Sequence, residues 1–196
     1  MSRKVLKITT VSGSLQQPSR TDALLAAIVG ELASALPIQI SQVRLSEIGP
    51  QVGSAMHRAA LPPAAFAAVS AIEEADALIV ASPVYRGSYT GLLKHLFDFV
   101  GSEALTGKPV LLAASAGSAR HTLMIDHQLR PLFAFFQALT LPVGVLATEA
   151  DFEDYTLTSP AIKQAISHSI DAALPWLKQR LNTTSGAIRQ PFFAQL

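Results

Sequence analysis

The sequence contains no cysteine among its 196 residues. That excludes disulfides, thiolate nucleophiles, iron–sulfur clusters and cysteine-ligated zinc. Charge is sparse as well: 15% of residues are charged, and 15 basic residues against 14 acidic ones leave a formal net charge of +1. No run of basic residues occurs, so the electrostatic footprint of a nucleic-acid binder is missing. Long apolar runs are also missing. Apolar runs such as residues 77–81 and 110–114 fall far short of the roughly 18 that a membrane span requires. Lys7 interrupts the stretch that would have to form a signal-peptide core. A cytoplasmic protein with neither a nucleic-acid nor a membrane partner is expected. The histidines (His57, His95, His121, His127 and His168) show no ligand spacing, so no metal is expected.

What is abundant is aliphatic. Hydrophobic residues make up 49%, enough for a large core in a chain of one domain's length. Short continuous apolar runs alternate with helical periods. Residues 5–11, 38–43, 76–81, 108–114 and 141–147 read as strands. Leu24, Ile28, Leu32 and Leu36 fall at four-residue steps behind Ser19, which is placed to cap a helix, with Asp22 completing the arrangement. Further helices are expected over residues 64–75, around Leu93, Leu96, Phe97 and Val100, over residues 121–139, and from Ile162 to Leu181. Residues 44–63, with Gly49, Pro50, Gly53, Pro62 and Pro63, read as a long loop holding a short helical turn. Strands alternating with helices imply parallel pairing by crossovers and helices on both faces of the sheet. The expected architecture is an α/β three-layer sandwich with a five-stranded parallel sheet in the order 2-1-3-4-5. Residues 1–182 form its single domain and residues 183–196 a C-terminal tail, apolar over residues 191–196.

In such sheets ligands bind beyond the carboxyl ends of the strands, where the strand order reverses. The loops there are residues 12–21 (SGSLQQPSRT), 82–91 (SPVYRGSYTG) and 115–122 (SAGSARHT). All three are crowded with Gly, Ser, Pro and Thr, and the loop after the fifth strand is not. The first opens a helix, whose free N–H groups and partial positive charge attract a phosphate. Ser14, Ser19 and Thr21 can add hydroxyls there and Arg20 a charge; the bland alternative is a polar turn with a capping serine. Neither GxGxxG nor GxxxxGK[ST] is present, since residues 101–109 (GSEALTGKP) have the wrong spacing and precede a strand. A receiver domain would need a carboxylate at the end of strand three, where Ser82 and Pro83 stand instead.

Three motifs together resemble the NAD(P)H-dependent FMN reductase family. They are Gly13-Ser14 with Ser19-Arg20-Thr21, Pro83-Val84-Tyr85 followed by Gly91, Leu93, Lys94 and Asp98, and Ala116-Gly117-Ser118. The resemblance spans roughly residues 5–147 and implies a flavodoxin-like fold. Residues 115–131 are most similar to the flavin reductases of two-component alkanesulfonate monooxygenase systems. By this resemblance Ser14, Ser19, Arg20 and Thr21 hold the FMN phosphate. Pro83, Val84, Tyr85 and Arg86 run along the isoalloxazine edge, while Ala116, Gly117 and Ser118 close the other side of the ring. Gln16 stands where many relatives carry a basic residue, which suits a flavin that leaves. The sulfonate-linked members also widen the fourth helix into a π-turn near the flavin, and residues 125–128 with His127 are the equivalent region.

The implied reaction is hydride transfer from NADH or NADPH to FMN, with reduced flavin passed to a flavin-dependent monooxygenase by a homodimer or homotetramer. The flavin carries the reactivity, so no acid–base dyad is required and no catalytic residue is named. The chain-borne contribution is orientation and ring-edge backbone donors from residues 84–86 and 117–118. Arg86 and Arg120 are candidates to receive a dinucleotide phosphate. Two other readings remain open here: a quinone, azo or metal-oxyanion reductase that keeps FMN bound, and a flavodoxin-type electron carrier. The near-neutral charge and the sequence of the first loop argue against the second. Lys94 and Asp98, four apart, form an expected surface ion pair.

Overall fold

The structure is a computed structural model that describes residues 4–182; the apolar segment 191–196 lies outside them. Strand β1 (Leu6–Ser12) leads into helix α1 (Arg20–Ala35), and β2 (Ile38–Arg44) follows at Pro37. Then come α2 (Leu45–Ser54), α3 (Pro63–Glu74), β3 (Ala77–Pro83), α4 (Gly91–Asp98) and β4 (Pro109–Ala116). A π-turn (Ile125–Leu129) runs into α5 (Arg130–Phe135), followed by β5 (Leu139–Thr140), β6 (Val145–Thr148), the hairpin strands β7 (Phe152–Glu153) and β8 (Thr156–Leu157), and α6 (Pro160–Asn182).

The sheet is parallel in the order β2-β1-β3-β4-β5, with β6 also paired to β4. This is the flavodoxin-like order expected from the alternating runs. Strands β3 and β4 are buried almost end to end, as continuous Ala, Val, Leu and Ile require of a strand covered on both faces. One core unites Val11, Val80 and Leu112 with α2, α3, α4 and α5; the other unites Ile8, Ile79 and Leu111 with α1 and α6. Among the described residues no helix is long and apolar enough to cross a membrane.

Two local expectations are corrected. Residues 44–63 are not mainly loop, because α2 occupies ten of them and a 3₁₀ turn (Arg58–Ala60) three more. The glycines that read as breakers serve a packing face: a Cβ on Gly49 or Gly53 would lie 3.4 or 3.3 Å from the methyls of Leu92 in α4. The fifth strand, expected over residues 141–147, is split. Pro142 has no N–H for the ladder, and a Cβ on Gly144 would lie 3.0 Å from both Ile125 and the Leu112 carbonyl. The carbonyls freed at this break are taken up. Arg130 donates to Leu141 O at 3.0 Å and Pro142 O at 3.3 Å, and Ser169 donates to Val143 O at 2.7 Å.

Lys108 is an exception to the apolar interior, 3% exposed at the entrance of β4. Its Nζ donates to Ile72 O at 3.1 Å and Glu73 O at 2.7 Å, capping the C-terminus of α3. Burial pushes its pKa down to about 8. The folded state therefore holds this proton less tightly than the unfolded chain, where lysine titrates near ~10.4. Stability must rise with pH between those values. Comparison with Lys108→Met isolates the effect: between pH 7.5 and 10 the wild type should gain about 2 kcal/mol on the variant in urea unfolding. A constant difference across that range would contradict the assignment.

Candidate active site

The crevice is built from the close approach of two strand ends. Gly13 N donates to Ala81 O at 2.7 Å, and a Cβ at Gly13 would sit 2.9 Å from Ser82 Oγ. Ser82 Oγ in turn accepts from Thr90 N at 3.2 Å, while Thr90 Oγ1 donates to Gly13 O at 2.8 Å. The β1–α1 loop and the N-terminus of α4 are thereby locked together across the switch between β1 and β3. Ser19 caps α1, accepting from Asp22 N at 3.3 Å. The carboxylate half of the expected capping arrangement is not made, since Asp22 Oδ1 is left without a partner. The first N–H groups of α1 remain directed out of the helix end.

The second and third loops are clamped to each other. Val84 N donates to Ser115 O at 2.8 Å. Tyr85 and Ser88 form a bridge, N to O at 2.8 and 3.1 Å, around a tight turn with Arg86 at φ +52° and Gly87 at +84°. Ser88 Oγ donates to Gln128 Oε1 at 3.0 Å, which ties this turn to the π-turn. The π-turn spans Ile125–Leu129 and includes His127, as the resemblance implied. Thr21 Oγ1 and Ser115 Oγ, both buried, lie 2.7 Å apart and brace α1 against β4.

These loops enclose an open crevice of about 230 Å3. Nine of the eleven expected residues line it: Ser14, Ser19, Arg20 and Thr21 on one side, Pro83, Val84 and Tyr85 on another, and Ala116 and Gly117 on the third. Arg86 and Ser118 do not; each follows a lining residue and is exposed. Ser14 Oγ is committed locally, donating to Gln16 O at 3.1 Å. Gln16, Pro18 and Ser115 line the crevice as well. Sequence reasoning noted Gln16 only as a departure from its relatives and passed over Pro18 and Ser115, which sit inside the chosen loops. It also discounted the loop after the last strand, which supplies Thr148, Phe152 and Tyr155. That segment has no Gly–Ser signal; its signal is the T-x-x-D capping box of Thr148 and Asp151. Burial pushes the Asp151 carboxyl up, yet bonds from Thr148 and Ser159 outweigh it and hold it below its ordinary value.

One end of the crevice joins a helix N-terminus, hydroxyls and the Arg20 guanidinium; the other is a wall of Pro83, Val84 and Tyr85. That combination fits a phosphate carried on a flat ring system. Among the described residues that line it only Arg20, Tyr85 and Tyr155 ionise, and none brings a carboxylate or imidazole for acid–base work.

The sheet order and the helices on both faces define the flavodoxin-like class. The sequence model of the family described as NADPH-dependent FMN reductase matches residues 6–153. The chain belongs to that family and is an oxidoreductase. It is 54% identical over 175 residues to the NADH-dependent FMN reductase SfnF of Pseudomonas fluorescens, covering 89% of this chain and 93% of the relative. An FMN reductase (NADPH) of Pseudomonas aeruginosa is 50% identical over 169 residues, 86% of this chain and 91% of the relative. Among solved structures, an oxidoreductase from Corynebacterium diphtheriae superposes with a TM-score of 0.78 at 32% identity, covering 90% of this chain and 98% of that one.

The locked strand ends give a direct test. Gly13→Ala drives a methyl into Ser82 and should cost about 1–3 kcal/mol in urea unfolding. Adding Ser82→Ala removes the atom at 2.9 Å and should restore part of that loss. A neutral Gly13→Ala would show that the loop is not held as described.

Proposed function

We propose that this crevice binds FMN with its phosphate at the N-terminus of α1, among Ser14, Ser19, Arg20 and Thr21. Pro83, Val84 and Tyr85 line one edge of the ring and Ala116 and Gly117 the other; the side chains of Arg86 and Ser118, which follow them outside the crevice, are left out of the flavin contact. The enzyme passes a hydride from NADH or NADPH to FMN and supplies the reduced flavin to a partner monooxygenase, with sulfonate-sulfur metabolism the setting. The observation that carries this reading is the convergence of three loops on one crevice, anionic-ligand chemistry at one end and a flat apolar wall at the other. The names of the relatives support it: one is an NADH-dependent FMN reductase and another an FMN reductase (NADPH). The described part of the expected domain over residues 1–182 acts as one FMN-binding unit; residues 183–196, the expected tail, lie outside the described residues. Association into a homodimer or homotetramer is part of the reading, supported by the exposure of Phe135 (69%) and Leu123 (61%) beside the π-turn.

Bound flavin supplies the electron-accepting centre. The protein's part is positional. The bonds from Val84 to Ser115 and from Ser88 to Gln128 fix the ring-edge loop before any ligand arrives, so little ordering remains to be done on binding. On this reading the backbone N–H groups of residues 117 and 118 stabilise charge that develops on the pyrimidine side of the ring.

Arg86 and Arg120 extend the site to the second substrate. Arg20, Arg44, Arg58 and Arg130 each pair with a carboxylate. Among the described residues neither Arg86 nor Arg120 does, and both are exposed just beyond the crevice-lining loops. Arg86 keeps a left-handed backbone that costs a non-glycine residue of order 1 kcal/mol. Both cations suit the pyrophosphate of the dinucleotide.

The wild type should purify mostly colourless and oxidise NADH or NADPH only when FMN is added; stoichiometric yellow protein that reduces quinones faster than FMN would refute the reading. Arg20→Ala should weaken FMN binding about tenfold and riboflavin binding little; equal losses would remove Arg20 from the phosphate site. Arg86→Ala/Arg120→Ala should raise KM for NADH about tenfold while leaving turnover with 1-benzyl-1,4-dihydronicotinamide, which has no pyrophosphate, unchanged. A parallel loss with both donors would contradict the anion role.

A further inference from the structure

Arg20 does not wait free at the crevice. Its Nη2 lies 2.9 Å from Glu149 Oε1, its Nε donates to Asp154 O at 3.2 Å, and its guanidinium lies 5.9 Å from the centre of the Tyr155 ring. All three partners belong to the segment after β6, which also contributes Phe152 and Tyr155 to the crevice beside Thr148 at the end of β6.

That segment is firmly built. Asp151 accepts from Thr148 N and Oγ1, both at 2.7 Å, which sets the turn carrying Glu149. Thr158 N and Ser159 N both donate to Asp151 O, at 3.1 and 3.2 Å. Between them β7 and β8 close a hairpin with Asp154 at φ +53°. The Glu149 backbone is therefore fixed beside the mouth of the crevice.

The ion pair contributes little to the fold. Its side chains are 38% and 60% exposed, and such pairs contribute about 0–1 kcal/mol. Its effect on an arriving anion is larger in kind. A phosphate that reaches Arg20 must share or displace a carboxylate, and a fixed negative charge stays within a few ångströms of a ligand that is itself doubly charged.

We propose that Glu149 limits the hold of this site on the flavin phosphate: it occupies Arg20 when the crevice is empty and repels the phosphate when it is filled. FMN is thereby kept at the affinity of a substrate exchanged at each turnover rather than that of a fixed prosthetic group. The inference rests on the reading of Arg20 as a phosphate contact. Glu149 is a positioning residue that acts through Arg20 and touches no reacting atom.

The experiment titrates FMN and riboflavin into wild type, Glu149→Gln, Glu149→Ala and Arg20→Ala by flavin fluorescence, with FMN dissociation followed by stopped flow. Both Glu149 variants should bind FMN about 3- to 10-fold more tightly and release it correspondingly more slowly. Their riboflavin affinity and Tm should stay at wild-type values. Unchanged or weaker FMN binding in both variants, or an equal gain for riboflavin, would overturn the proposal. The Arg20→Ala arm separates the two levels. If it shifts FMN relative to riboflavin while the Glu149 variants do not, only the Glu149 inference fails; if it shifts neither, the phosphate role of Arg20 fails and the inference with it.

Discussion

Adjacent strands whose following helices must leave in opposite directions cannot fill the space between them, and the site depends on that constraint. Strands β1 and β3 are hydrogen-bonded neighbours, yet α1 packs with the core of Ile8 and Ile79 while α4 packs with that of Val11 and Val80. A crevice at their carboxyl ends follows from topology. What the sequence adds is the contact that keeps it in shape. Only glycine fits at residue 13, where the backbone comes within bonding distance of Ala81 and the Ser82 and Thr90 hydroxyls complete the lock. The third wall is attached to this frame by the Thr21–Ser115 and Val84–Ser115 bonds. An α1 terminus with outward N–H groups thus faces a wall that cannot swing away.

The parts of the fold legible in the sequence are those where one physical signal dominates. Continuous Ala, Val, Leu and Ile in residues 77–81 and 110–114 admit only a strand covered on both sides. The four-residue steps of Leu24, Ile28 and Leu32 admit only a helix with one buried face. The misreadings occur where one residue type serves two purposes. Gly49 and Gly53 look like breakers but let α2 approach Leu92, and Gly144, read as part of a continuous strand, instead makes room for Ile125 where that strand is split. Neither use has a one-dimensional signature, because each depends on a neighbour far away in the chain.

The crevice divides in the same way. Loops rich in Gly, Ser and Thr are visible because phosphate and ring-edge chemistry draws on backbone N–H groups and hydroxyls. The segment carrying Glu149, Phe152 and Tyr155 is acidic and aromatic, and it enters the crevice only because β6 ends beside β4. Its importance lies in electrostatics rather than composition. It supplies the partner of Arg20, so the cation expected to favour a phosphate is already in balance with a carboxylate. Under the proposed role of Glu149, a site assembled this way recognises an anion without holding it strongly, as a flavin exchanged with solution requires.

The most direct test is a crystal structure of the protein soaked with FMN. The account predicts phosphate density against the first turn of α1 beside Ser19 and Arg20, with the ring lying between residues 83–85 and 115–117. Ring and phosphate bound outside this crevice, for instance in the apolar groove between α4 and α5 lined by Phe97 and Leu132, would contradict it.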